Sequence, residues 1–100
     1  MHTLTAIICA QKGHEDTVRA ELLKVGVFAR DYEPGTIGFH VTQDPDDACV
    51  FTTYERFVNK AAMDRHNNGI GSQGFFAAAR DLLDGEVTVV TAEEIWPEST

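Results

Sequence analysis

Two short proline-containing segments divide the middle of this 100-residue chain. Glu33-Pro34-Gly35 ends any helix before it, because the residue preceding a proline is pushed out of the α region and glycine accepts a positive φ. Asp44-Pro45-Asp46-Asp47 separates two β-type runs, Thr36–Gln43 and Ala48–Phe57, with residues that favour a tight reversal. The spacing therefore predicts a helix, a turn and then a β-hairpin.

The segment before the first turn supplies one strand and one long helix. Thr3–Ala10 is rich in Thr, Ile and small apolar residues, which predicts a strand buried on both faces. Apolar residues at helical spacing then predict a helix that ends at about Asp31. Gly26 inside this helix indicates close packing or a bend.

The segment after the hairpin contains two candidate helices and a last strand. Asn59 can cap a short helix from Lys60 to about His66. Ser72 can cap a second helix that runs to Gly85, and Glu86–Ile95 reads as a strand.

This order of elements predicts a ferredoxin-like βαββαβ fold of the α+β class, with a four-stranded antiparallel sheet in one domain over residues 1–100. The first and third strands are expected side by side, which brings Cys9 close to Cys49. Without a C-x-x-C spacing these are expected to be reduced thiols, with a cross-strand disulfide as the alternative.

The predicted strands place bulky apolar residues on both faces of the sheet. They are Phe39, Val41, Phe51, Phe57, Val87, Val89 and Ile95, with Ile37, Val50, Tyr54 and Val90 alternating among them. Helices can cover only one face, and a small domain that left the other in water would aggregate. We therefore expect a homodimer in which two sheets pack face to face about a two-fold axis.

Charge and motif content exclude several functional classes. The chain has 8 Lys and Arg against 16 Asp and Glu, and a net charge of −8 repels nucleic acid and anionic lipid. No apolar run approaches the ~18 residues of a membrane span and no leader pattern precedes the first strand, so a cytoplasmic protein without a membrane partner is expected. The four histidines lack metal-ligand spacing, and neither serine lies in G-x-S-x-G.

A series of short motifs in the right order resembles the antibiotic biosynthesis monooxygenase family of small dimeric α+β barrels. They are the first strand, Glu33-Pro34-Gly35-Thr36, Phe39-His40-Val41, Asp44-Pro45-Asp46, Tyr54-Glu55-Arg56-Phe57, Ala61-Ala62-Met63-Asp64-Arg65-His66 and Phe75 to Leu83. The resemblance implies a pocket between sheet and helices that binds a flat aromatic or small carbonyl compound. Several relatives oxidise anthrones or quinols with dioxygen and no cofactor, others degrade haem, and others isomerise sugar-like phosphates.

The sequence departs from two of the family's patterns. Thr53 and Phe57 stand where the oxygenases with the best-defined sites have Asn and Trp. Gly71 stands where the haem-degrading relatives have a histidine, so haem degradation is not expected.

His66 is the first candidate for chemistry, since the resemblance places a histidine at the end of the helix that roofs the pocket. It would be the base that takes a phenolic or enol proton, and the alternative is a histidine that caps the helix end. His40 could bind a substrate oxygen if its strand face lies under the helices, and is structural if that face meets a partner subunit. Glu55 shares a strand face with Thr53 and Phe57, where its carboxylate needs a cation across the dimer or a substrate; a buried structural ion pair is favoured.

Aromatic and glycine-rich segments complete the list of candidates. Tyr54, Phe57, Phe75, Phe76 and Trp96 could form an aromatic box for a planar ligand, although the spacing of Phe75 and Phe76 also fits ordinary core packing. Gly69-Ile70-Gly71-Ser72-Gln73-Gly74 matches G-x-G-x-x-G but follows a predicted helix, so we interpret it as a flexible lid and not as a nucleotide site.

Three functions remain open from the sequence. The first is a cofactor-independent oxygenase that uses dioxygen on a small phenolic, quinol or anthrone-like compound. The second is an isomerase that shuttles a proton with His66 and another polar group. The third is a non-catalytic dimer that binds an aromatic metabolite.

Overall fold

The computed structural model describes residues 1–97 and has the predicted order of elements. These elements are strand β1 (His2–Cys9), helix α1 (Glu15–Tyr32), strands β2 (Thr36–Gln43) and β3 (Val50–Phe57), helices α2 (Lys60–Asn68) and α3 (Ile70–Ala79), and strand β4 (Thr88–Glu93). A 3₁₀ turn over Arg80–Leu82 extends α3. The fold is α+β and ferredoxin-like, as predicted.

The sheet is antiparallel with strand order β2-β3-β1-β4, and all helices lie on one of its faces. Helix α1 packs on this face through Val18, Leu22, Val25 and Ala29, which recur at helical spacing and are buried. A Cβ on Gly26 would lie 3.2 Å from the ring of Phe39, so the close packing predicted at this glycine is present.

Apart from Thr3 near its start, strand β1 is buried on one face, which corrects the prediction of a strand buried on both. Leu4, Ala6 and Ile8 are buried, whereas Thr5 is exposed and Ile7 is 44% exposed. Side chains alternate along a strand, and in one protomer the helices cover a single face. The uncovered face is called the open face below.

The second half of the helical region differs from the prediction. Asn59 does cap α2, where its Oδ1 accepts from the Ala62 N–H at 2.9 Å. Ser72 caps nothing, because α3 begins two residues earlier, after Gly69, and ends at Ala79 instead of reaching Gly85.

The glycine-rich segment is helical, so the prediction of a flexible lid is wrong. Gly71 and Gly74 lie within α3. A Cβ at Gly71 would come within 2.8 Å of the Phe28 ring on α1, and this close contact explains a glycine inside a helix. Within residues 1–97, no helix is long and apolar enough to cross a membrane.

Candidate active site

A cavity of about 210 Å³ lies between the sheet and the helices. Its sheet side is formed mainly by the apolar residues Leu4, Ala6, Ile8, Phe39, Val87 and Val89. Its helix side is formed mainly by Leu22, Val25, Phe75 and Phe76. An apolar cavity of ~150 Å³ admits benzene, and drug-sized ligands need about 300 Å³ or more. The size therefore fits a small aromatic compound.

One end of the cavity is polar. Thr53 and Glu55 point into it from β3, and His66 reaches it from α2. The Thr53 hydroxyl donates to Oε2 of Glu55 at 2.7 Å, and Nε2 of His66 lies 3.1 Å from Oε1 of the same carboxylate. Glu55 is only 5% exposed, so this carboxylate is held almost out of water.

His66 is held between two carboxylates in the last turn of α2. Its Nδ1 lies 2.6 Å from Oε1 of Glu33, on the side away from Glu55. The ring also packs against Phe39 and Phe57, with centroid distances of 5.7 and 5.3 Å. The imidazole is 3% exposed, and both of its ring nitrogens face carboxylates from other elements.

The surroundings of His66 favour its charged form. Burial lowers the pKa of the imidazole, but hydrogen bonds to Glu55 and Glu33 and the charges of these carboxylates raise it by more. The net effect is a pKa above the ordinary value of 6.5. In its protonated form this imidazole has no free lone pair, which leaves the Glu55 carboxylate as the group at this end of the cavity with oxygens able to accept a proton.

The site as a whole carries net negative charge. Two carboxylates face one imidazolium, and no Lys or Arg is among the described residues that line the cavity. A phosphate or carboxylate ligand would meet like charge there, so the cavity suits a neutral compound. Over residues 1–97, no cluster of His, Cys, Asp and Glu could hold a metal ion. The carboxylates of Glu33 and Glu55 contact different nitrogens of the His66 ring, so they do not meet at one point.

The other aromatic residues predicted for the site divide into three groups. Phe75 and Phe76 line the cavity and meet edge to face, with centroids 5.2 Å apart. Phe57 is fully buried against His66 and does not line the cavity, so it supports the imidazole from the core. Trp96 is 74% exposed beyond β4.

His40 and Tyr54 lie on the open face, opposite the cavity, which contradicts their prediction as residues of the same pocket. They are cross-strand neighbours with ring centroids 6.5 Å apart. The Tyr54 hydroxyl donates to Glu94 at 2.7 Å, and Arg56 donates two hydrogen bonds to the same carboxylate. These bonds, from Arg56 above all, lower the pKa of Glu94 to about 2. Strand alternation thus separates Tyr54 from Glu55, and no aromatic box forms.

Glu33 is the site residue that the sequence reading missed. The motif Glu33-Pro34-Gly35 predicts only the end of a helix. A carboxylate at a helix C-terminus is unfavourable with respect to the helix dipole, and this misplacement is the signal that could have marked it. Glu33 occupies the position after α1, and its contact with His66 offsets that cost.

Comparisons with known proteins agree with this architecture. The model of the family described as antibiotic biosynthesis monooxygenase matches residues 1–90. Protein PA3566 of Pseudomonas aeruginosa is 28% identical, with a TM-score of 0.85 over 94% of this chain and 93% of that one. Rv0793 of Mycobacterium tuberculosis is 19% identical, with a TM-score of 0.87 over 98% of both chains. A structure named antibiotic biosynthesis monooxygenase is 19% identical, with a TM-score of 0.87 over 95% of this chain and 99% of that one. No curated protein matches.

Proposed function

The chain belongs to the antibiotic biosynthesis monooxygenase family, and from that premise we propose that it is a cofactor-independent monooxygenase acting on a small, neutral phenol, quinol or anthrone-like compound. One observation carries the proposal. The Glu55 carboxylate, paired with His66, stands at the polar end of a cavity whose other walls are mostly apolar.

Binding follows from this division of the cavity. The aromatic part of the substrate lies among the apolar side chains, next to Phe75 and Phe76, and its hydroxyl or enol oxygen points towards Glu55. Burial of apolar area supplies the affinity, and the polar end fixes the orientation.

Glu55 is the base in this mechanism. It takes the proton of the phenol or enol hydroxyl, and the His66 imidazolium lies behind it as its counter-ion. The charge moves from Glu55 to the substrate oxygen, so the net charge of the site does not change. The protonated Glu55 then donates a hydrogen bond to the new anion.

The electron-rich anion is the species that reacts with dioxygen. One oxygen atom replaces two hydrogens of the substrate, either those of a methylene or those of a hydroxyl and a ring C–H, and the product carries a new C=O group. The other oxygen atom leaves with both hydrogens as water. The substrate supplies all the electrons, so no reductant is needed.

We also propose that the protein works as a homodimer in a reducing compartment. The open face carries an apolar group, Ile7, Val50, Tyr54 and Val90, among threonines. A second copy of the chain that covers this face would remove its apolar side chains from water, which is favourable. Cys9 and Cys49 are free, which fits reducing conditions.

An isomerase is the second candidate, because a carboxylate base beside a protonated imidazole also suits the movement of a proton between two atoms of one substrate. The lack of a lining Lys or Arg among the described residues argues against a phosphorylated substrate for that reaction.

Oxygen uptake with a panel of naphthols, quinols and anthrones tests the function. The proposal predicts that at least one compound is oxidised with a stoichiometry of one dioxygen per substrate, and that turnover stops without air. Turnover that persists anaerobically would assign the isomerase. Tight binding with unaltered ligand recovered would assign a binding module.

A further inference from the structure

We propose that Glu33, which lies outside the cavity, is a positioning residue that holds the His66 ring in place as the cation facing the Glu55 base. This inference rests on the proposed role of Glu55 as the base. It assigns a function to a side chain that no bound substrate would touch.

The first step of the argument is geometric. Glu33 lies in a small surface cleft of about 150 Å³ between the end of α1 and helix α2. Among the described residues, His66 alone lines both this cleft and the cavity. Its ring is therefore the wall between them, with Nδ1 directed to Glu33 and Nε2 to Glu55.

Glu33 is itself held in place. The Thr36 hydroxyl donates to its Oε1 at 3.1 Å, the same oxygen that lies 2.6 Å from Nδ1 of His66. Its side chain is 14% exposed, so the contact to His66 is screened from most of the solvent. The hydrogen bond fixes both the ring orientation and the proton on Nδ1.

The second step concerns charge. A carboxylate as buried as Glu55 is costly unless a cation faces it, and the cation that faces it is His66. Burial alone lowers the pKa of this imidazole, whereas Glu55 and Glu33 together raise it above its ordinary value. The second carboxylate, Glu33, thus adds charge that favours the protonated form of His66, the cation that faces Glu55.

Two carboxylates face His66, Glu55 from β3 and Glu33 from the end of α1, and both raise its pKa. Arg65 of its own helix lines the cleft on the side of Glu33. The residues of the remaining elements that line the cavity are uncharged; those of α3 are Ser72, Phe75 and Phe76. Removal of the Glu33 charge should therefore lower the pKa of His66.

The test is a ¹⁵N NMR titration of His66 in the wild type and in Glu33→Gln. We expect the pKa of His66 to fall by at least about 1 pH unit in the variant, the lower end of the effect of one adjacent opposite charge. Glu93→Gln is the matched control, because Glu93 Oε1 lies 2.5 Å from Nδ1 of His2, away from the cavity. It should leave the His66 titration unchanged.

A second variant covers a failure of Glu33→Gln to fold. Glu33→Asp keeps the negative charge but places it farther from His66, because the side chain is shorter by one methylene group. We expect the pKa of His66 to fall less in this variant than in Glu33→Gln. In either folded variant, an unchanged His66 titration would overturn the proposal whether or not a substrate has been found.

Steady-state kinetics give the second readout. The substrate is a compound of the naphthol, quinol and anthrone panel that the wild-type enzyme oxidises. In Glu33→Gln we expect kcat to fall with KM nearly unchanged, and the pH profile of kcat to change in step with the lowered pKa of His66. A uniform loss at all pH values would assign Glu33 a merely structural role. A missing reaction with every compound would count against the monooxygenase and leave the NMR result to decide on Glu33.

Discussion

His66 and Glu55 form a hydrogen-bonded ion pair between helix α2 and strand β3, with Nε2 of the imidazole 3.1 Å from Oε1 of the carboxylate. The pair lies where the apolar cavity meets the core, and the side chains of His66 and Glu55 are 3% and 7% exposed. A charged pair in such a place is costly unless it is fully hydrogen-bonded, and Thr53 and Glu33 complete the bonding. The following predictions depend on this pair.

Glu55→Gln should abolish oxidation while preserving the fold. The amide has the same shape and can still bond to Thr53, but it cannot accept the substrate proton. We expect kcat for oxygen uptake to fall by about 10² or more. Glu21→Gln, which changes a carboxylate paired with Lys24 on α1, should retain full activity. Near-normal turnover of Glu55→Gln would remove Glu55 from the mechanism.

His66→Ala should destabilise the protein strongly. It leaves the buried Glu55 and the mostly buried Glu33 without their shared cation, a type of change that costs about 3 to 5 kcal/mol. Urea denaturation measures this loss as a lower midpoint. His14→Ala, at an exposed position before α1, should change the midpoint little. Equal stability of the two variants would contradict the ion pair.

The stability of the wild type should depend on pH through His66. Its pKa in the folded protein lies above the 6.5 of the unfolded chain, so protonation favours the folded state. This contribution is fully present below pH 6.5 and is lost as the pH rises through the folded-state pKa. The free energy of unfolding, measured between neutral and alkaline pH, should fall more in the wild type than in His66→Gln. Parallel curves would contradict the prediction.

Val90→Glu should separate the proposed dimer. Val90 is 57% exposed on the open face, where it pairs with Thr5 of β1, and a carboxylate there would be buried against its symmetry mate. Light scattering should give the wild type a mass twice the 11.0 kDa of the chain and the variant a mass close to 11.0 kDa. Val27→Glu, on an exposed position of α1, is the control and should remain dimeric. A monomeric wild type at micromolar concentration would refute the dimer.

Most of the fold follows from local signals in the sequence. The proline turns, the capping Asn59 and the helical spacing of Val18 to Ala29 each specify a local structure that the whole fold then uses. The glycines of α3 predict a flexible lid when only the local sequence is considered. Gly71 is instead accommodated inside a helix, because its backbone packs against Phe28 of α1, which is distant in sequence.

The site was less predictable than the fold. His66, Phe75 and Phe76 were placed at the cavity, since helix order and family resemblance fix where α2 and α3 lie. Glu33 is 33 residues from His66, so nothing local to either residue links the two. The position of Tyr54 on the open face follows from strand alternation once it is known which face the helices cover.

The most direct test of the account is a crystal structure with a non-oxidisable phenol of one or two rings, such as a fluorinated naphthol, bound under anaerobic conditions. The account predicts the ring between the sheet and Phe75, with the phenol oxygen about 2.5 to 2.7 Å from a carboxylate oxygen of Glu55. A phenol seated with its hydroxyl away from Glu55, or bound only on the open face, would contradict it.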